Sequence, residues 1–256
     1  MKKTLCSILI LTSVATQLQS KWTDYAPFKW FCAKSNNAQQ ENVNQAFMDA
    51  VRKNDTIREI VMLIEKGADV NYKDETGSNA LMLAVLEKNM PLAKLLLEYK
   101  AEVEVKGNII GLTPLILAVH NDDFEMAKML LEAGATTDVK TEIGFNALMY
   151  AVLNKNMPIT KLLLDYKANI NEQESLIGLT PLLLAITNND IEMVSFLLEN
   201  NADPTIVDST GQSALTYAEE QKSDAIITLI GSKINKAIEE EEEEEETEKE
   251  EENTEA

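Results

Sequence analysis

The feature of this sequence that most constrains its fold is an internal repeat of about 33 residues. Glycines recur at Gly77, Gly111, Gly144, Gly178 and Gly211, in steps of 34, 33, 34 and 33. Alanines with the same period add one unit at the N-terminal side: Ala50, Ala84, Ala118, Ala151, Ala185 and Ala218. Units of this size bury their apolar faces only by stacking on one another. The sequence therefore predicts a solenoid of about six units.

Each unit matches the unit two repeats away, at an offset of 67 residues, more closely than it matches its immediate neighbour. The segment Asn79-Ala-Leu-Met82 returns as Asn146-Ala-Leu-Met149, and Gly111-Leu-Thr-Pro-Leu115 returns as Gly178-Leu-Thr-Pro-Leu182. This pattern indicates that the array grew by duplication of a pair of repeats.

Each unit has the apolar spacing of two short helices. In the third unit the two apolar stripes consist of Leu115, Ala118 and Val119, then Met126, Met129, Leu130 and Leu131. Asp123 is placed to cap the second helix, and Gly134 follows its end in the position that favours left-handed backbone. Pro91 and Pro158 fall in the first turn of the corresponding helices, where a missing N–H costs little. The pattern predicts helix, turn, helix and a loop with glycine at its tip.

These motifs resemble the ankyrin repeat family. The resemblance lies in the Gly111–Ala118 and Gly178–Ala185 segments, in Leu130-Leu-Glu-Ala-Gly-Ala135 and in Gly67-Ala-Asp-Val-Asn71. It covers residues 42–236 and implies an all-α solenoid of about six helix-turn-helix units that carry loop fingers.

Two family positions differ in this chain. The histidine that usually follows Thr-Pro-Leu is replaced by Met82, Ile116, Met149, Leu183 and Thr216, which puts the family's turn hydrogen bonds in doubt. The glycine after the second helix is replaced by Lys100, Lys167 and Asn201. A non-glycine residue in left-handed backbone costs on the order of 1 kcal/mol.

Both ends of the chain differ from the repeats. Residues 1–15 have a Lys-Lys start, a short apolar run and small residues Ser13 and Ala15, as in a signal peptide cleaved after Ala15 or, as a second choice, after Ser20. We expect export to a periplasm or to the medium, and the start is bacterial in style.

Residues 237–256 contain 13 glutamates, eight of them consecutive from Glu239, and account for −12 of the net charge of −20. Such a run indicates a disordered, solvated tail, or a site for a basic partner or divalent cations.

An aromatic-rich segment, residues 16–41, lies between the predicted signal peptide and the repeats. It contains Trp22, Tyr25, Phe28, Trp30 and Phe31. Such a segment fits a cap over the first repeat, since terminal repeats need special covering, or a flexible segment, or a docking patch for a membrane or a partner. After cleavage Cys32 is the only thiol, either free or in an intermolecular disulfide.

The residues offer no catalytic or cofactor site. The single histidine, His120, and Cys32 lie in different segments, and no phosphate loop, spaced metal cluster or nucleophile elbow is present. We therefore predict neither an enzyme nor a bound cofactor or metal. The acidic balance also disfavours nucleic acid, because attraction to phosphates is missing.

The resemblance implies that the chain binds a protein partner in a concave groove formed by finger tips and first helices. The residues that align with this groove are Ser78, Leu86, Glu87, Ile109, Ile110, Leu112, His120, Asn121, Ile143, Phe145, Leu153, Asn154, Leu176, Ile177, Leu179, Thr187 and Asn188. The tip isoleucines either contact the partner or pack between adjacent fingers. Two functions fit: an exported scaffold or inhibitor of a partner protein, and a chaperone-like or structural envelope protein whose tail and groove keep basic or unfolded clients soluble.

Overall fold

The computed structural model describes residues 26–107, 110–236 and 239, with side chains from residue 39 onward. The predicted signal peptide, Ile109, the side chain of Cys32 and the glutamate run from residue 240 lie outside the described part. The chain divides into two compact units, residues 1–72 and 73–256. Within the described ranges, no helix is long and apolar enough to span a membrane.

The first unit contains one helix pair, α1 (Ala26–Arg52) and α2 (Ile57–Glu65). Helix α1 has 27 residues and runs across the predicted boundary between the aromatic segment and the repeats at residue 41. This continuity has a local cause, because no glycine or proline interrupts the sequence from residue 28 to residue 66. Thr56 and Glu59 form a capping box at the start of α2.

The second unit contains five helix pairs in chain order. Their bounds are α3 Ala80–Leu86 and α4 Met90–Glu98, α5 Pro114–His120 and α6 Phe124–Glu132, α7 Ala147–Leu153 and α8 Met157–Asp165, α9 Pro181–Thr187 and α10 Ile191–Glu199, and α11 Ala214–Glu220 with α12, residues 224–236. The inner helices α3, α5, α7, α9 and α11 contact one another in sequence, and α4, α6, α8 and α10 each pack outside their own inner helix. No strand occurs in the described residues. The predicted all-α repeat fold is confirmed.

Polar caps start the short helices where the sequence places them. Asp123 accepts a hydrogen bond from the backbone N–H of Met126 at 3.0 Å, which confirms its predicted role. Asn89, Asn156 and Asp190 cap the other outer helices in the same way. The inner helices begin after Asn79, Thr113, Asn146, Thr180 and Ser213. Each cap satisfies one of the backbone donors that a helix start leaves unpaired.

Left-handed residues end both helices of a repeat. Lys100, Lys167 and Asn201 have φ values of 64°, 67° and 66°, so these substitutions do occupy the family's glycine position. A second set lies in the turn between inner and outer helices, which the sequence did not reveal: Asn54, Lys88, Asp122, Lys155, Asn189 and Lys222.

The core lies between the two helix rows. Met82, Ile116, Met149 and Leu183, which replace the family's histidine, are at most 4% exposed. The apolar side chains therefore extend the core at the position where the histidine would make polar contacts. Leu163 on α8 is fully buried.

The fingers alternate between two lengths. The shorter fingers are closed by backbone bonds from Asp74 to Ser78, Thr141 to Phe145 and Asp208 to Gln212; the longer fingers run from Gly107 to Leu112 and from Glu174 to Leu179. Every second finger thus contains one extra residue. This extra residue explains why the glycine spacing alternates and why the sequence matches itself best at 67 residues.

Candidate functional site

The predicted binding residues that the structure describes in the second unit fall into three sets by their place in the repeat, which we call rows and together the inner face. The first row consists of the finger tips. Ile110, Ile143 and Ile177 are 38%, 36% and 46% exposed, and Leu176 is 68% exposed. Adjacent fingers are linked through the backbone, since the carbonyl of Ile110 accepts from Glu142 N–H at 2.9 Å. The tip side chains thus keep a substantial part of their apolar surface in water.

The second row contains the residues that follow the finger glycines. Ser78, Leu112, Phe145 and Leu179 are all half-buried. Phe145 and Leu179 pack with one side against the core cluster around α9. Their other side remains accessible, so this row connects the core to the surface.

The third row is formed by the C-terminal ends of the inner helices. Leu86 is 53% and Leu153 37% exposed, and three polar members are also exposed: Glu87, His120 and Thr187. The asparagines of this row are half-buried and link repeats. Asn154 Nδ2 lies 3.2 Å from the carbonyl oxygen of His120, and the carbonyls of Asn121 and Asn188 accept hydrogen bonds from lysines of the preceding repeat.

Tyr150 forms an aromatic cluster with Phe145 of its own repeat and His120 of the preceding repeat. The sequence did not predict this cluster. The ring of Tyr150 lies edge-on to Phe145, with centroids 5.8 Å apart, and edge-on to His120 at 5.9 Å. Such arrangements are favourable for aromatic rings. Burial raises the pKa of Tyr150. The only sequence signal was the recurrence of tyrosine at Tyr217, 67 residues later.

Carboxylates stabilise two of the fingers from within. Asp208 Oδ1 accepts from the hydroxyl of Thr210 and the backbone N–H of Gln212, at 2.7 and 2.9 Å. These bonds lower the pKa of Asp208 to about 2, while burial and the bond to Asp208 raise the pKa of Tyr217 to about 12. Asp74 accepts the same kind of bonds from Thr76 and Ser78.

Glu174 plays the corresponding role in a longer finger. Burial raises its pKa, but backbone N–H groups led by that of Leu176 outweigh this effect and hold the pKa below its usual range. Its oxygens lie 2.6 Å from the N–H of Leu176 and 2.7 Å from that of Ile177. The exposed tip with Leu176 and Ile177 is thereby held in one shape.

Side chains at the finger bases form a ladder along the array. Lys106 Nζ donates to the carbonyl of Lys140, Lys140 Nζ to that of Gln173, and Gln173 Nε2 to that of Val207, each at 2.9 Å. Lys140 also forms an ion pair with Glu172. Each rung joins neighbouring repeats, so the ladder fixes the spacing of the fingers.

The comparison with known families fits this architecture. A model described as ankyrin repeats in three copies matches residues 20–107, 47–143, 106–174 and 148–239. The chain belongs to the ankyrin repeat family. A solved ankyrin repeat domain from Acinetobacter baumannii AYE is similar over 73% of this chain and 97% of its own, with a TM-score of 0.68 and 28% identity.

Ankyrin repeat proteins from several kinds of organism are similar in sequence. A putative ankyrin repeat protein of fowlpox virus is 39% identical over 75% of this chain and 40% of its own. The putative ankyrin repeat protein YahD of Escherichia coli K12 is 28% identical over 66% of this chain and 69% of its own. The chain spans between 16% and 48% of the first three viral relatives. A mitochondrial disaggregase of Bos taurus is 24% identical over 21% of its length.

The inner face of the ankyrin array presents apolar side chains at its surface. In the described part of the chain, no three histidine, cysteine or carboxylate side chains are grouped to hold a metal ion. A depression of about 550 Å³ lies away from the predicted residues, beside the outer helices, between Leu97, Glu102 and Ala133. The apolar side chains of the inner face are accessible to a large, complementary surface.

Proposed function

We propose that the protein is an exported scaffold or inhibitor that binds a partner protein through its inner face. The observation that carries this proposal is the aromatic cluster of the half-buried Phe145 and Tyr150 with the exposed His120, flanked by the exposed Leu153. Binding energy in protein interfaces concentrates on aromatic anchors that are already held in place by their neighbours. Here the finger bonds and the core hold Phe145 before a partner arrives.

The family supports the binding role. Ankyrin repeats generally act as scaffolds for protein interactions, and a stack of repeats offers an extended surface. An exposed apolar patch with a polar rim is typical of an interaction site. Export is supported by the charged start, the apolar run and the small residues before Thr16.

The binding role is tested on the partner recovered by affinity purification from the native source. We expect Phe145→Ala to weaken binding by about tenfold or more, as removal of a central anchor does. Tyr166→Ala is the matched control, because Tyr166 is an aromatic residue of the outer row and 39% exposed. Helical content and melting are measured for both variants. Normal binding by Phe145→Ala would show that the inner face is not the site.

Export has a separate test. Mass spectrometry of the protein from a secreting host should find a mature terminus at Thr16 or, with the second cleavage choice, at Lys21. Soluble protein that still begins with Met1 would contradict the proposed export without affecting the binding role.

A chaperone-like role is the second candidate. Two relatives, from Bos taurus and Homo sapiens, are named as mitochondrial disaggregases, and their similarity to this chain is confined to 21% and 25% of their lengths. Deletion of residues 239–256 separates the two candidates. If the protein is a scaffold, the deletion should slow its association with the partner mainly at low salt, since distant charges are screened beyond about 8 Å at physiological ionic strength. A solubilising protein should lose its activity on many unfolded clients.

A further inference from the structure

The charged residues around the inner face are distributed unevenly. Residues 73–236 contain 23 aspartates and glutamates against 13 lysines, a net charge of −10. Two carboxylates, Glu75 and Glu142, are exposed at the finger tips. Glu87 is exposed at the opposite edge, where the inner helices end, and Asp122 is exposed there too, with one carboxylate oxygen that accepts hydrogen bonds from Asn154 and Asn156. The apolar strip formed by Leu112, Phe145, Tyr150, Leu153 and Leu179 therefore has acidic side chains along both edges.

Four lysines of this side donate hydrogen bonds within the protein. Lys88 Nζ donates to the carbonyl of Asn121 at 2.8 Å, and Lys155 Nζ to that of Asn188 at 3.1 Å. Lys106 and Lys140 form the ladder at the finger bases. These four ammonium groups are directed at backbone carbonyls of the next repeat and keep their positive charge, so the acidic balance of residues 73–236 rests on the excess of carboxylates over lysines.

The strip also has a characteristic length and spacing. Neighbouring helices pack about 8–10 Å apart, so the inner helices from α3 to α9 extend over about 24–30 Å. A partner helix of about 18 residues has the same length, and residues on one of its faces recur every seven positions, about 10.5 Å apart. An extended strand repeats a face about every 6.6 Å, which fits the repeat spacing less well.

We propose that the inner face binds a cationic amphipathic helix of the partner protein. This inference rests on the proposed binding function and names the partner's chemistry. The apolar side of the helix packs on the Phe145–Tyr150–His120 cluster and on the leucines beside it. Lysine or arginine side chains at the borders of its apolar side pair with Glu142 at the tips and Glu87 at the helix ends. Arginine can in addition stack on an aromatic ring of the cluster.

The experiment uses the full chain and three synthetic peptides of about 18 residues, the length of a helix that spans the strip. The first is an amphipathic leucine–lysine helix, the second has glutamate for every lysine, and the third has the composition of the first in an order that lacks an apolar side. Affinities are measured by fluorescence anisotropy at two salt concentrations. We expect the first peptide to bind at least about tenfold more tightly than the other two.

Two charge-matched double variants test where the peptide binds. Glu87→Lys/Glu142→Lys changes the acidic edges, and Glu98→Lys/Glu132→Lys makes the same change of net charge at exposed positions on the outer helices. We expect about a tenfold loss of affinity in the first variant and less than about threefold in the second, because only nearby charges keep their effect in salt. Phe145→Ala should also weaken binding.

Three results would overturn the inference: equal losses in the two double variants, equal binding of the glutamate peptide, or no binding of the leucine–lysine peptide. The proposed function is judged separately on the native partner. If Phe145→Ala abolishes binding of that partner but its contact segment is neutral or acidic, the scaffold role stands and the cationic helix is wrong.

Discussion

At the scale of single residues, lysines in left-handed backbone fall into two kinds. Lys100 has φ 64° after an outer helix, and Lys88 has φ 52° in a turn between helices. Left-handed backbone costs an L-residue about 1–2 kcal/mol. The side chain of Lys88 also donates a hydrogen bond to the carbonyl of Asn121 in the next repeat. Lys88 therefore bears the same backbone strain as Lys100 but contributes a contact between repeats.

We predict that Lys100→Gly raises the free energy of unfolding by about 0.5–1 kcal/mol. Removal of the left-handed strain outweighs the larger entropy that glycine has in the unfolded chain, itself about 0.5–1 kcal/mol. Lys88→Gly is the matched control. The free energy of unfolding of Lys88→Gly should rise less, or not at all, because this variant also loses a hydrogen bond of about 0.5–1.5 kcal/mol. Urea unfolding measures both, and a destabilised Lys100→Gly variant would contradict the argument.

At the scale of elements, the fingers are positioned by close contact with their neighbours. Gly144 and Gly211 have the same φ of 83°. A Cβ on Gly144 would lie 2.2 Å from the backbone nitrogen of Ser175 in the next finger, whereas a Cβ on Gly211 would meet no atom within 4 Å. Gly144 is thus required both by its left-handed backbone and by the close approach of the next finger. Gly211 is required by its left-handed backbone alone.

We predict that Gly144→Ala is more destabilising than Gly211→Ala. Both variants bear the left-handed strain of about 1–2 kcal/mol, and Gly144→Ala must in addition shift the neighbouring finger, at a cost of about 1–3 kcal/mol. Denaturant unfolding of the two variants gives the difference. Equal losses would mean that the fingers move apart freely, and would remove the reason for treating the tips as one surface.

At the scale of the whole molecule, stability comes from packing between helix rows and between repeats. Leu163 is fully buried, whereas Leu176 at a finger tip is 68% exposed. Because each repeat contacts only its neighbours, a cavity in one repeat weakens the array through those interfaces.

We predict that Leu163→Ala lowers the free energy of unfolding by about 2–5 kcal/mol, the usual cost of truncating a buried leucine. Leu176→Ala makes the same chemical change at an exposed position and should stay within about 0.5 kcal/mol of the parent. Thermal and urea unfolding measure both variants. A silent Leu163→Ala would contradict the core assignment.

The fold could be predicted from the sequence because its causes are local. The two helices of each repeat and the cap at Asp123 follow from residues a few positions apart, and alignment of the units with one another gives the period and the left-handed position at Lys100. The length of α1 agrees with the absence of glycine and proline between residues 28 and 66, whereas the repeat pattern begins only at residue 42 and placed the earlier residues in a separate segment.

The inner face could be predicted only in outline. Its rows follow from the repeat register, which placed Phe145 and His120 on one surface. The details of the site depend on contacts between repeats, which the sequence did not predict. These contacts are the packing of Tyr150 against Phe145 and His120, the ladder from Lys106 through Lys140 to Gln173, and the hydrogen bond from Lys88 to the next repeat.

The sequence by itself therefore determined the repeat architecture, its helices and its family. Only the tertiary structure decided which side chains meet, which charges are engaged and which remain at the surface. The physical reason is distance along the chain. Helix periodicity and capping act over three or four residues, whereas the contacts that shape the inner face join residues about 25–35 positions apart, whose side-chain directions are set by packing.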